Sequence, residues 1–424
     1  MSSARLTYWN LKPLSLGLLM LAALLLGTAS AHADTITLKF PVWSDPTLVR
    51  HDIHDMACCF HNDTLYLALL ESIAPDGVRD SISVSQLRAK YADLYTVSGD
   101  SLCLQYSTQV SYYTSRFWLT DDLKLIVDDK ENITKIRPLQ DETQPEKIEI
   151  NWYTDPVSGL IAYLPGDDFD YGILQDLNYT RTQLAIDNIN RQYPKQYLCK
   201  MKDGHISKAE MIRGGRISCR DFSCFREGDS IFAVWSEGTR KPIAWSDGGH
   251  YVRSIVYSVF DGKSWSEPVS AVSDPTVADD YFAGPLKLFR HDGSLYLLWR
   301  QSIVIDEGSG YYLRLSKQIS DGEWETLESD DPGCRDVLCD PVVDSGGSLH
   351  LLWRSQGKKK RIRYAVVSGD HWQVVPQTSL DPNLFTRRFN RLRIDNESRA
   401  WLVSVKNGEF GDSDQVILQL IDGD

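Results

Sequence analysis

The sequence predicts an all-β chain, a β-propeller of four-stranded antiparallel blades, and three observations carry that reading. The first is a repeated phrase. Asp292-Gly293-Ser294-Leu295-Tyr296-Leu297-Leu298-Trp299-Arg300 returns as Gly346-Gly347-Ser348-Leu349-His350-Leu351-Leu352-Trp353-Arg354, a hairpin turn and its strand used twice. A looser copy runs from Gly228 to Trp235, and degenerate ones stand at Asp63 to Leu69 and Glu397 to Val403. The second observation is a turn followed by tryptophan, in Asp261-Gly262-Lys263-Ser264-Trp265, Asp321-Gly322-Glu323-Trp324 and Gly369-Asp370-His371-Trp372. Asp-Gly reverses a chain without steric cost, and a large ring beside it covers a blade edge. The third is spacing. Trp235, Trp299, Trp353 and the aligned Val403 are 64, 54 and 50 residues apart, near the ~40 to 50 residues of a repeat that carries several short strands.

Taken in order, residues 1–33 read as a cleaved signal peptide: Arg5 and Lys12 precede the apolar run Leu14 to Leu26, which leads to Ala31-His32-Ala33. The run is shorter than the roughly 20 residues of a spanning helix, so stable membrane insertion is not expected. Residues 34–424 then form one propeller domain, best defined over 213–424. Leu69 aligns with the repeat tryptophans 166 residues before Trp235, which leaves room for two more blades. Their candidate strands are Phe117 to Thr120 with Leu123 to Val127, and Leu160 to Leu164 with Tyr171 to Leu174. The count is seven blades, with six as the alternative. Ser83 to Tyr95 and Thr180 to Tyr193 have apolar residues at helical spacing and read as short helical insertions.

Among 424 residues the formal net charge is −13, and losing Arg5 and Lys12 takes it to −15. Such a chain, with one basic run at Lys358-Lys359-Lys360-Arg361, is a poor partner for nucleic acid, whose binding rests on neutralising phosphates. That run reads as a solvated turn. The localisation expected is the periplasm or the exterior. All eight cysteines lie in the exported part, where disulfides are expected, with Cys219/Cys224 and Cys334/Cys339 as pairs that need a turn between them. No metal-ligand spacing is present and no cofactor is expected, although Asp167-Asp168-Phe169-Asp170 is a candidate calcium loop, with a solvated turn as the alternative.

The Asp-Gly-x-x-Trp turns resemble degenerate Asp-boxes of the sialidase-like propellers, Ser258-Val259-Phe260-Asp261-Gly262-Lys263-Ser264-Trp265 coming nearest. The turns depart from the family spacing, which puts one residue between Asp and Gly. The resemblance implies a carbohydrate-active fold in which arginines grip a substrate carboxylate and an Asp serves as acid and base. It covers the C-terminal two-thirds of the chain. The order Arg50, Glu71, Arg79-Asp80 around the first hairpin is similar to that of sialidases, but Arg50-His51-Asp52 stands where the family has Arg-Ile-Pro.

Candidate site residues follow from the repeat as the tunnel-side ends of innermost strands. They include His54 and Asp55 in the first unit, Tyr281 in the fifth, and the arginines Arg50, Arg220, Arg335, Arg388 and Arg391. Arginine suits an anionic sugar because its planar fork holds a carboxylate by two hydrogen bonds. Three readings compete. One is a sialidase-like hydrolase, with Asp80 as its acid and base by resemblance. Another is a polysaccharide lyase with a His or Tyr base, drawn from His51, His54 and Tyr281. The third is a glycan-binding or protein-binding scaffold without chemistry. The expected ligand is a glycan or small anionic sugar. Trp299-Arg300 and Trp353-Arg354 read as inter-blade packing before sugar stacking.

Overall fold

A computed structural model describes residues 35–40, 48–75, 90–110, 116–128, 132–136, 146–149, 160–166, 169–175, 193–202, 205–215, 218–240, 250–273, 286–305, 308–327, 333–337, 339–355, 362–377, 380, 389–406 and 414–421. These residues form strands and turns with no helix among them, as the all-β reading expects. Each blade is an antiparallel meander. The first is Leu48–His61, Thr64–Pro75, Lys90–Ser98 and Ser101–Val110; the second is Arg116–Leu119, Leu125–Asp128, Asn132–Ile136 and Glu146–Glu149. The third is Leu160–Leu164, Asp170–Gln175, Tyr193–Lys202 and His205–Gly215, and the fourth is Ser218–Glu227, Ser230–Arg240, His250–Phe260 and Val269–Ser273.

The fifth and sixth units share one nine-stranded sheet. Lys287–His291, Ser294–Ile305, Gly308–Ser320 and Glu323–Leu327 make the fifth. In the sixth the inner strand is broken into Gly333–Val337 and Val342–Val343, both paired with Leu349–Ser355, which is followed by Ile362–Ser368 and His371–Gln377. Gly333–Val337 also touches the third strand of the fifth blade at Tyr311 and Tyr312, and this contact joins the two meanders. The seventh unit closes the ring: Phe389–Ile394, Ala400–Lys406 and Gln415–Ile421 receive the N-terminal Thr35–Leu38 as their fourth strand.

The repeated phrase is apolar on both faces because each face enters a different core. Leu295, Leu297 and Trp299 pack against Val234, Ile255 and Tyr257 of the fourth blade. Tyr296 and Leu298, pointing the other way, meet Leu349, Leu351 and Trp353 of the sixth. The same division recurs around the ring. Leu67 and Leu69 pack on Val403 and Val405, and Ala68 and Leu70 pack on Phe117 and Leu125. Ile126 meets Leu160 and Cys199, Leu164 and Ile173 meet Ile231, and Leu352 meets Leu392 and Leu402. Among the described residues, seven such cores link seven units in succession. Full burial of one such side chain contributes roughly 1.5–3 kcal/mol. The turn tryptophans extend this packing, since Trp265, Trp324 and Trp372 each lie against the core shared with the preceding blade.

Asp261 shows how the turn is built. Its Oδ1 accepts hydrogen bonds from Lys263 N (2.9 Å) and Ser264 N (2.8 Å), while Gly262 takes φ +89°. The backbone donors hold the Asp261 carboxyl below its ordinary range.

Two expectations are corrected. The helix expected at Ser83 to Tyr95 gives way over its second half to the strand Lys90–Ser98; residues 83–89 lie outside the described residues, as does all of Thr180 to Tyr193 but Tyr193, which begins a strand. Ala92, Asp93, Leu94 and Tyr95 are buried in succession, because this strand is covered on both faces. The expected disulfides are also replaced: Cys58, Cys59, Cys103, Cys199, Cys224, Cys334 and Cys339 are free thiols. Cys219 and Cys224 lie five positions apart on the one strand Ser218–Glu227, about 16 Å at ~3.3 Å per residue, beyond the ~7 Å a disulfide allows. The basic run Lys358 to Arg361 and residues 1–33 lie outside the described residues.

Candidate functional site in the central tunnel

The inner strands surround a tunnel with two lobes. The first has a volume of about 920 Å³ and is walled by the first, second, fifth, sixth and seventh blades. The second, about 390 Å³, is walled by the second to sixth. His54, Asp55 and Arg391 line the first lobe. A bulge between Ile53 and Asp55, opposite Glu71 and Leu70, interrupts the register where His54 stands. Such an extra residue re-aims side chains on an inner strand.

Asp55 and Arg391 come from opposite ends of the sequence and meet where the ring closes. Arg391 Nη2 lies 3.2 Å from Asp55 Oδ1, its Nε donates to Met56 O (3.0 Å) and its Nη1 to Asn390 O (3.1 Å). Asp55 Oδ1 also accepts from Met56 N at 2.9 Å. Arg391 therefore fastens the seventh blade to the first and fixes Asp55. Arg393, two positions on, repeats the device by donating to Cys58 O and to Leu392 O.

His54 Nε2 lies 2.7 Å from Ser72 Oγ on the adjacent strand. Behind Ser72 is a buried acidic group. Tyr95 OH donates to Glu71 Oε1 (2.6 Å) and lies 3.5 Å from Asp93 Oδ2, and all three residues are fully buried. Burial first, and the neighbouring Glu71 second, push the Asp93 carboxyl up to about 8, so it holds a proton at neutral pH. Burial also raises the Tyr95 phenol. The inner strand of the first blade is itself tied to the seventh blade, Ile53 N donating to Asp414 Oδ2 at 2.9 Å.

Of the other expected site residues, Arg50 and Arg220 lie on the leading halves of the inner strands Leu48–His61 and Ser218–Glu227, the same end as His54 and Asp55. Arg335 lies on Gly333–Val337, the leading piece of the sixth blade's broken inner strand. Tyr281, Asp80 and Arg388 lie outside the described residues. Trp299 and Trp353 are buried between blades, as expected of packing residues. In the candidate calcium loop, Asp170 is buried and accepts from Gly166 N at 3.1 Å; Asp167 and Asp168 lie outside the described residues. No cluster of His, Cys, Asp or Glu fit for a metal ion occurs among the described residues.

Sequence reasoning missed two groups near the tunnel. Lys287, first in the fifth blade's inner strand, lines both lobes, and nothing in its local sequence marks it. At the far end His350 joins Asp344 (Nε2 to Oδ2, 2.9 Å) to Tyr364 (Nδ1 to OH, 2.5 Å). Burial opposes ionisation of Asp344, but His350 and Ser348 N outweigh it and hold the carboxyl low. His350 replaces the tyrosine of the sister phrase at Tyr296, a substitution visible in the sequence.

No family model matches the chain, and no curated protein matches it in sequence. Among solved structures it is similar to the polysaccharide lyase Uly1, with a TM-score of 0.53 and 10% identity over 93% of this chain and 98% of that one. It is also similar to an acylaminoacyl peptidase of Pyrococcus horikoshii, with a TM-score of 0.49 and 10% identity over 88% of this chain and 51% of that one. A sialidase of Trypanosoma rangeli matches 61% of this chain and 52% of its own at 12% identity, with a TM-score of 0.30. At this identity the likeness to the lyase is one of fold, a β-propeller along nearly the whole of both chains.

Proposed function

We propose that this chain is an exported carbohydrate-active propeller that engages an acidic polysaccharide at the His54 end of its tunnel and cleaves it by β-elimination. The observation that carries the proposal is the placement of His54, held by Ser72 beside the Asp55–Arg391 pair on the wall of the larger lobe. In this reaction His54 takes the proton on the carbon next to a uronate carboxylate. The electron pair forms the new carbon–carbon double bond, the glycosidic C–O bond breaks, and the departing oxygen gains a proton from Tyr281 or water. Arg50 and Arg220, at the same end by register, are the cations assigned to the carboxylate. Hydrolysis by a sialidase-like arginine cluster is less favoured, because the hydrogen bonds of Arg391 already go to Asp55 and to the backbone. The likeness of fold to a polysaccharide lyase supports the same choice of class.

The test is to incubate the purified protein with uronate-containing and sialylated polymers and follow unsaturated ends by ultraviolet absorbance. Unsaturated product is expected, with His54→Ala slowing its release by about 100-fold or more, the usual contribution of a general base. Free sialic acid in its place would establish the hydrolase, and binding without any product would establish a lectin-like module; either overturns the elimination.

A further inference from the structure

The second lobe carries a ligand signature of its own, centred on Lys287. Lys287, Trp118, Asp340 and Pro341 line both lobes and so form the waist between them. Among the described residues the Lys287 ammonium makes no hydrogen bond and no ion pair; Asp340 attracts it without forming one. A recessed, unpaired ammonium is costly, since the charge gives up water without a partner in return. Burial accordingly pushes Lys287 below the ordinary lysine range, against the pull of Asp340 and Cys224, and Arg393 adds a further positive field.

The surroundings indicate what would compensate that charge. The acids Asp55, Asp121, Asp344 and Asp395 line the first lobe only, so on the second-lobe side Asp340 is the one acid among the described lining residues. That lobe presents the rings of Trp118, Tyr163 and Phe222, with the Ser223 hydroxyl nearby. Trp118 and Phe222 are partly exposed. Aromatic walls with one placed charge are the usual make-up of a small-molecule site, and about 390 Å³ falls within the range of such sites.

We propose that the second lobe is a subsite for an anionic sugar residue, its ring against Trp118 and Phe222 and its carboxylate or sulfate on Lys287 Nζ. This rests on the glycan reading above and extends it, but its test does not depend on turnover. The probes are glucuronate, glucose 6-sulfate and neutral glucose, titrated into the purified protein by calorimetry or ligand-observed NMR. One charged sugar is expected to bind about 10-fold or more tightly than glucose, the effect of one charge-assisted hydrogen bond. The better of the two identifies the anion. Lys287→Met should abolish that preference, and Lys287→Arg, which keeps the charge, should retain it. A wild-type protein that does not distinguish charged from neutral sugar, or a Lys287→Met protein that still does, overturns the subsite. Polymer cleavage measured alongside keeps the two readings apart: charge preference lost in Lys287→Met with no cleavage by the wild type refutes the lyase alone, and cleavage without charge preference refutes the subsite alone.

Discussion

The Glu71–Asp93–Tyr95 group shows how one residue can set a pH dependence for the whole fold. In the folded state the Asp93 carboxyl rises from 3.8 to about 8, first by burial and then by Glu71. Between these values the folded chain binds a proton that the unfolded chain has released. Stability therefore falls as pH rises through that window, and is level below and above it. Asp93→Asn removes the titrating group and leaves a neutral amide beside Glu71. We expect the variant to match the wild type near pH 4 and to exceed it by on the order of 1–3 kcal/mol near pH 9, measured by urea unfolding. An equal pH slope in both proteins would place the titration elsewhere. At this scale the sequence was partly legible. His54, Asp55 and Arg391 could be located because each stands on an inner strand of a recognised repeat. Lys287 and Asp93 could not, since both read as ordinary strand residues, and burial by chain segments far away in sequence is what changes their chemistry.

At the scale of the element, the repeated turn carries different loads in its two copies. Gly293 and Gly347 both adopt the left-handed region, at φ +77° and +80°. A Cβ at Gly293 would meet nothing within 4 Å, whereas one at Gly347 would lie 2.8 Å from Arg290 O in the neighbouring blade. Gly293→Ala should cost about 1 kcal/mol from backbone conformation alone. Gly347→Ala should cost roughly 1–3 kcal/mol more, because the two turns must move apart as well. Thermal unfolding of the pair checks this, and equal losses would mean that the sixth blade yields without strain. The turns were legible because Gly and Asp at fixed places declare them locally. The strand Lys90–Ser98 was not. Leu87, Tyr91 and Leu94 fall at helical spacing in the sequence, and a strand covered on both faces loses the alternation that would have identified it.

For the molecule as a whole, stability depends on how the ring is closed. Thr35–Leu38 pairs with Gln415–Ile421 as the last strand of the seventh blade. The chain then continues into the first blade, where Lys39 N donates to Asp100 O (2.7 Å), Leu102 N donates to Lys39 O (2.8 Å), and the Lys39 ammonium pairs with Asp100. Leu38 is buried in the core shared by Leu102, Val416 and Leu418. Six residues thus complete one blade and bind it to the next, at the seam that Arg391 and Arg393 hold from the tunnel side. Leu38→Ala should cost about 2–5 kcal/mol, the range for truncating a buried leucine. The loss should also be local before it is global. In hydrogen exchange, amides of Gln415–Ile421 and Ser101–Val110 should lose protection first, while those of Ser230–Arg240, across the ring, exchange as in the wild type. Because Asp55 and Arg391 meet across this same seam, loosening it should weaken the His54 site before the protein unfolds, and activity should decline at temperatures below the main transition. Uniform loss of protection in all blades would instead show that the propeller opens as one cooperative unit, with the seam no weaker than any other interface.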